Sequence, residues 1–235
     1  MTRKIHACLL AALTLGTAQA QDYYDLTEYY ISNHDFTANV DFDTDAAAEN
    51  VKNGTLNVPQ GWSVDASSKA TLAVAATFRY GTKATFVNTG IPAAGPDGTA
   101  DGACLTLSAS YGNQMTFYQS AKLPAGNYKL LVTYYNCNAE AGTCKENMSG
   151  WYVSKDDNVL SGTISFAFGE WRTDTVAFTL ADVTSGHLQI GIKCTGATAK
   201  NVLLAVDNVR LLRDTPYGPQ DDLVEPPVVV TDTRF

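Results

Sequence analysis

Few residues in this sequence could carry out a reaction. Of its three histidines, only His34 and His187 lie beyond residue 20. A serine or cysteine nucleophile needs a positioned base, most often histidine. Neither His34 nor His187 is accompanied by a Gly-x-Ser-x-Gly elbow, and His187 falls on the polar parity of an alternating run, as a solvated histidine would. Phosphate-cradling Gly-x-Gly-x-x-Gly and Gly-x-x-x-x-Gly-Lys loops are absent as well. Asp41, Asp43 and Asp45 have the alternate spacing that opens a calcium loop, but that loop needs Gly at position six and Glu at position twelve. Ala46 and Lys52 stand there instead, so a solvated acidic loop is expected. Paired carboxylates of the glycosidase kind meet only in the fold, and most acidic residues here sit in turn-like stretches. No catalytic residue is assigned.

Aromatic residues give the richer signal, with three Trp and 12 Tyr. Tyrosine and tryptophan stack on the apolar face of a sugar ring while neighbouring amides and carboxylates take its hydroxyls. Tyr128 and Tyr134 share parity with Leu130 and Val132 and are expected inside, and Trp62 after Gly61 is expected to plug the core. Tyr118 alternates with the apolar Met115 and Phe117 side, and Tyr135 lies beside Thr133, so both are expected to point outward. Trp151 and Tyr152 follow Ser149-Gly150, and Tyr80 precedes Gly81 at a strand end. These five, Tyr80, Tyr118, Tyr135, Trp151 and Tyr152, are the candidate sugar-stacking residues. Trp151 and Tyr152 form the expected centre, helped by Tyr135 or Tyr118, with Asn136, Asn138 and Asn147 close by in sequence to meet hydroxyl groups.

The elements that must position these residues read as strands. Leu105, Leu107 and Ala109 alternate with Thr106, Ser108 and Ser110, and Tyr128, Leu130, Val132 and Tyr134 alternate with their neighbours. Val176, Phe178 and Leu180 do the same, as do Leu188, Ile190, Ile192 and Cys194. A period of two is what one buried sheet face requires. Such segments fill residues 22–213 without βαβ alternation, which predicts an all-β fold, an antiparallel β-sandwich or jelly roll. One short helix is expected within Asp43 to Lys52, closed by Gly54. Residues 214–235, rich in proline and acidic residues, are expected to form an extended tail that contributes little to folding. With 235 residues, 17% of them charged, and a net charge of -8, the chain is one domain with short appendages and lacks the clustered cations that nucleic acid demands.

Residues 1–20 carry Arg3 and Lys4, an apolar stretch from Ala7 to Leu15, and Ala18-Gln19-Ala20. This is the pattern of a secretory signal peptide cleaved after Ala20, and the apolar run is shorter than the roughly 20 residues a membrane span needs. The mature chain is therefore expected in the periplasm, at the cell envelope or outside the cell, with residues 21–213 as its domain. Cleavage removes Cys8 and leaves Cys104, Cys137, Cys144 and Cys194. In an exported chain these permit disulfides. Cys137 and Cys144 close the shortest loop and are the expected bonded pair, while Cys104 and Cys194 are left open as a pair or as thiols. No Cys-x-x-Cys spacing supports zinc.

The order of several motifs carries a resemblance. Asp25-Leu26-Thr27 and Tyr30-Ile31-Ser32-Asn33-His34-Asp35-Phe36 come first, then Gly61-Trp62 and Leu123-Pro124-Ala125-Gly126-Asn127-Tyr128-Lys129-Leu130. Trp171 before Val176-Ala177-Phe178 and the run Val206-Asp207-Asn208-Val209-Arg210-Leu211 complete it. The series resembles the galactose-binding-like β-sandwich modules of secreted bacterial carbohydrate-active proteins, carbohydrate-binding modules among them, over nearly all of residues 22–213. The resemblance implies a structural Ca²⁺ held by Asn33, Asp35 and Asp207, although Thr37 stands where the family pattern has Glu. It also implies an exported, non-catalytic partner of polysaccharides or glycans. A jelly-roll glycoside hydrolase or polysaccharide lyase is the enzyme alternative, and a structural or adhesive protein contacting other envelope proteins is the third.

Overall fold

The computed structural model describes residues 22–52, 54–65, 74–83, 91–109, 114–137, 144–153, 158–163, 169–194, 202–215 and 229–230. The expected export signal lies outside them, as does Asn138. Two antiparallel sheets face each other, as the alternation predicts. The first holds β1 (Tyr23–Asp25), β3 (Val74–Arg79), β4 (Ala103–Ala109), β6 (Gly126–Asn136), β9 (Trp171–Leu180), β11 (Val202–Arg213) and β12 (Val229–Val230). The second runs in the order β2 (Ser63–Asp65), β5 (Gln114–Leu123), β10 (Thr184–Cys194), β7 (Cys144–Val153), β8 (Asn158–Thr163).

Strand β11 organises the first sheet. It pairs with β6 along one side, and on the other with β4 through Val202–Val206 and with β1 through Leu212 and Arg213. The inward members of each alternating run meet in one core: Tyr128, Leu130, Val132, Tyr134, Val176 and Phe178 from the first sheet, Met115, Phe117, Leu188 and Ile190 from the second. Each such side chain contributes about 1.5–3 kcal/mol by leaving water. Tyr128 can be buried because its hydroxyl donates to Pro124 O at 2.8 Å, and its ring stacks on Phe178 at 5.2 Å. Trp62 joins the same core.

The outer face of the first sheet is covered as well, which a single alternating pattern does not predict. Phe78, Cys104, Cys137 and Ala205 pack there with Ala48 and Val51 from the segment around α2 (Asp45–Ala48) and with Ile91. Thr106 and Ser108, on the polar parity, are buried as well. The helix sits inside the expected segment, and the Thr44 hydroxyl caps it by accepting Ala47 N–H at 3.1 Å. Two members of the Asp-x-Asp-x-Asp series bond to backbone: Asp41 accepts Thr77 N–H at 2.8 Å, and Asp45 accepts Lys83 N–H at 2.7 Å.

One expectation is corrected here. Cys137 is a free, buried thiol and is not bonded to Cys144. It follows β6 in the first sheet, whereas Cys144 opens β7 in the second, and facing sheets stand about 10 Å apart. Closeness in sequence is overruled by which sheet each residue enters. The described tail residues touch the domain at two places. Val229 and Val230 pair with Tyr24 and Tyr23, adding β12 to the open side of β1, where unpaired backbone groups favour another strand. Asp214 also clasps the domain, its carboxylate accepting Asn127 Nδ2–H at 2.6 Å. The remaining tail residues, 216–228 and 231–235, lie outside the described residues.

Candidate functional site

An open cleft of about 550 Å³ is lined by Glu28, Ser32, Asn33, His34, Asp35 and Gln60 among others. Its near wall is α1 (Thr27–Tyr30), which Asp25 fixes in place. Asp25 Oδ1 accepts Thr27 N–H at 2.9 Å and the Thr27 hydroxyl at 2.5 Å, while Oδ2 accepts Arg210 Nη2–H at 2.7 Å. Glu28 is thereby carried to His34, whose ring bridges Glu28 Oε1 at 2.7 Å and Asn208 Oδ1 at 3.1 Å. The turn that presents Asn33, His34 and Asp35 is held from both ends. Asn33 and Phe36 adopt left-handed backbone, with φ of 48° and 56°. The Phe36 ring packs on Trp62 at 5.3 Å, and Trp62 Nε1–H donates to Asn33 O at 3.2 Å. Gly61, with φ of 81°, closes against Ser32, where a Cβ would overlap the serine side chain.

Beside the cleft, a β-bulge interrupts the β11–β6 register between Val206 and Asn208. Bulges re-aim side chains, and here the extra residue, Asp207, accepts the Tyr80 hydroxyl at 2.5 Å. Burial raises the Asp207 carboxyl above its ordinary value; Asp35 and Asp97 add to this, while the Tyr80 hydrogen bond and His34 act the other way. Burial and donation to Asp207 push the Tyr80 phenol far up, so it serves only as a hydrogen-bond donor.

One oxygen of each residue expected to hold Ca²⁺ accepts a hydrogen bond inside the fold. Asn33 Oδ1 accepts Ala38 N–H at 3.0 Å, Asp35 Oδ1 accepts the Thr37 hydroxyl at 2.9 Å, and Asp207 Oδ1 accepts Tyr80. Among the described residues, no group of three or more His, Cys, Asp and Glu side chains is placed to hold a metal ion.

A substitution pair tests the Asp207 environment. Asp207→Asn is expected to stay within about 1 kcal/mol of wild type at neutral pH, because the amide oxygen still accepts Tyr80, whereas Asp207→Ala costs about 1–3 kcal/mol by removing that acceptor. The raised carboxyl binds a proton in the folded chain at a pH where the unfolded chain has released it. Wild-type stability therefore rises as pH falls from neutral through the folded pKa toward the unfolded one, and Asp207→Asn lacks this contribution. Urea denaturation at pH 7 and pH 5 reads the difference; identical slopes for the two proteins would remove the assignment.

The five aromatic candidates do not converge. Tyr80 and Tyr135 belong to the first sheet, where both pack edge-on against Trp171, at 6.0 and 5.5 Å. Trp171 Nε1–H donates to Ala94 O at 2.8 Å, so this trio is part of the covered outer face. Asn136 is buried in β6. Tyr118, Trp151 and Tyr152 belong to the second sheet. There the Tyr118 ring meets the His187 ring edge-on at 4.6 Å, and Ser120 Oγ lies 3.1 Å from His187 Nδ1. His187 pairs in register with Ser120 on one side and Tyr152 on the other, Tyr118 pairs with Gln189, and Gln189 pairs with Ser149. Trp151 takes the register position opposite Leu160 beside a bulge, and Asn147 that opposite Gly191. His187 is the residue that sequence reasoning left out of the site; its parity, shared with Tyr118 across the ladder, was the available signal.

No family model matches the chain, and no curated protein matches it. Among solved structures, it is similar to TmCBM61 in complex with β-1,4-galactotriose, at 13% identity and a TM-score of 0.46, over 78% of this chain and 97% of that one. It is similar to the CBM22-1 xylan-binding domain of Paenibacillus barcinonensis Xyn10C, at 7% identity and a TM-score of 0.40, over 68% and 90%. The K1 cleaved adhesin domain of Lys-gingipain from Porphyromonas gingivalis W83 matches at 14% identity and a TM-score of 0.41, over 68% and 95%. With TM-scores below 0.5, the fold class rests on the sheet order and register described above.

Proposed function

We propose that the chain is an exported, non-catalytic carbohydrate-binding protein whose glycan site is the outer face of the second sheet. The observation that supports this is the Tyr118–His187 pair. A partly buried tyrosine ring is braced edge-on by an imidazole that Ser120 holds, on a face where Ser63, Gln189 and the position of Tyr152 are the register neighbours. A braced ring offers a stacking surface at low entropic cost, and the hydroxyl and amide groups around it suit sugar hydroxyls. The inward side of the same strands carries Phe117, Leu188 and Ile190 in the core, so the platform stands on rigid backbone. Export rests on the pattern of residues 1–20, and other envelope proteins remain a second partner class.

Screening the mature chain on a glycan array identifies the ligand, and Tyr118→Ala then tests the site. Loss of one stacking ring removes on the order of 1 kcal/mol or somewhat more, a several-fold to tenfold fall in affinity. The thermal midpoint is expected to change little, since the ring lies outside the core. Unchanged glycan affinity in a folded Tyr118→Ala protein would move the site elsewhere, and an array with no bound glycan would remove the function.

A further inference from the structure

Two of the cysteines beyond residue 20 face each other across paired strands. Strand β7 begins at Cys144 and β10 ends at Cys194, and the two are direct partners in the antiparallel register, next to Lys145 opposite Lys193. Opposed residues in such a pair have Cα atoms about 4.5–5.5 Å apart, inside the roughly 4.4–6.8 Å that a disulfide spans. The other two cysteines are placed differently. Cys104 lies in β4 and Cys137 directly follows β6, with β11 between those strands. Strands two apart are separated by about 9–10 Å, beyond that span, and both residues are free, buried thiols. Burial also raises both, Cys137 to about 12, which keeps them protonated and poor in exchange chemistry.

From this register we infer that Cys144 and Cys194 form a disulfide that staples β7 to β10, while Cys104 and Cys137 stay reduced. The oxidant is a disulfide of the glutathione class. One cysteine thiolate attacks it, forming a mixed disulfide and releasing one thiol; the second cysteine thiolate then displaces the other thiol and closes the protein bond. Two protein thiols and one oxidant disulfide become one protein disulfide and two small thiols, so the two electrons end on the oxidant. The bond acts on the edge of the sheet. Strand β8 ends the order of the second sheet beside β7, and the β7–β10 ladder is broken by a bulge between His187 and Gln189. Fixing the Cys144 end anchors the strand that carries Tyr152. The inference is independent of the glycan reading, since it rests on strand register alone.

The test is peptide mapping of the purified full chain after equilibration with glutathione disulfide, with alkylation before and after denaturation. The expected result is one cross-linked pair containing Cys144 and Cys194, lost on reduction, with Cys104 and Cys137 alkylated only after denaturation. A Cys144–Cys137 link, or free Cys144 and Cys194 at equilibrium with the oxidant, overturns it. Cys144→Ser and Cys194→Ser are each expected to lower the thermal midpoint by about 5–10 °C under oxidising conditions, given a closed loop of about 50 residues. The double variant is expected to fall no further, and all three to match wild type in reductant. A difference that persists in reductant would assign the loss to packing and overturn the staple. Should a serine variant fail to fold, mapping of the wild-type chain still decides.

Discussion

Phe36→Ala is expected to destabilise the protein by about 3–5 kcal/mol, the range for truncating a buried aromatic ring whose site cannot collapse. The collapse is blocked by geometry. Phe36 is 0% exposed and lies in the main core with Ile31 and Trp62, and its backbone is held in the left-handed region at φ 56°. Alanine inherits that constraint and fills none of the space beside the Trp62 ring, 5.3 Å away. The consequence reaches the cleft, because the ring anchors the turn from which Asn33, His34 and Asp35 line it. Equilibrium urea denaturation measures the cost. A loss under about 1 kcal/mol would mean that the turn is held by its hydrogen bonds to Gln60 and Trp62 and that Phe36 is incidental.

Much of the sandwich was legible because one buried face imposes a period of two. Tyr128, Tyr134, Val176, Phe178, Leu188 and Ile190 all point where their parity places them. Parity assigns a residue to a face, yet it is silent about what covers that face. Thr106 and Ser108 read as solvent-facing and are buried, in a sheet whose outward side also carries the cluster of Ala48, Val51 and Phe78. Tyr80 and Tyr135 read as free to stack on a ligand, and Trp171 takes both rings. Trp171 pairs directly with Tyr135, a relation that needs strand register and is invisible in spacing along the chain. The Asp207 bulge shows another limit. One inserted residue shifts the alternation of β11, turning Asp207 to Tyr80 and Asn208 to His34, and nothing in Val206-Asp207-Asn208-Val209 announces it. Cys137 and Cys144 were misread for a related reason, since short loops in a sandwich often connect different sheets.

Asp25→Ala is expected to cost about 2–4 kcal/mol at neutral pH, and most of that difference is expected to vanish in acid. The Asp25 carboxylate is both a cap and a counterion. It accepts the backbone N–H and hydroxyl of Thr27, and it receives Nε–H and Nη2–H of Arg210 at 3.1 and 2.7 Å. The pair is partly screened, with 24% of the Asp25 side chain and 30% of the Arg210 side chain exposed, so the Coulomb attraction supplies the smaller share and the lost hydrogen bonds the larger. Burial alone would raise the carboxyl, but the Thr27 and Arg210 bonds outweigh it and hold the group below its ordinary value. A lowered folded pKa fixes the sign: the contribution is complete above the unfolded value, about 3.9, and is lost as pH falls through the folded pKa. Other carboxylates titrate in the same window, so the quantity to follow is the difference between wild type and Asp25→Ala, from urea denaturation at pH 7 and pH 2.5. It is expected to shrink on acidification. The variant is also expected to loosen α1, separating Glu28 from His34, which hydrogen exchange at residues 27–31 would register as faster opening while the β6 and β10 amides stay protected. A wild-type-minus-variant difference that is the same at both pH values would show that Asp25 acts through packing, leaving the α1 wall of the cleft without its charged anchor.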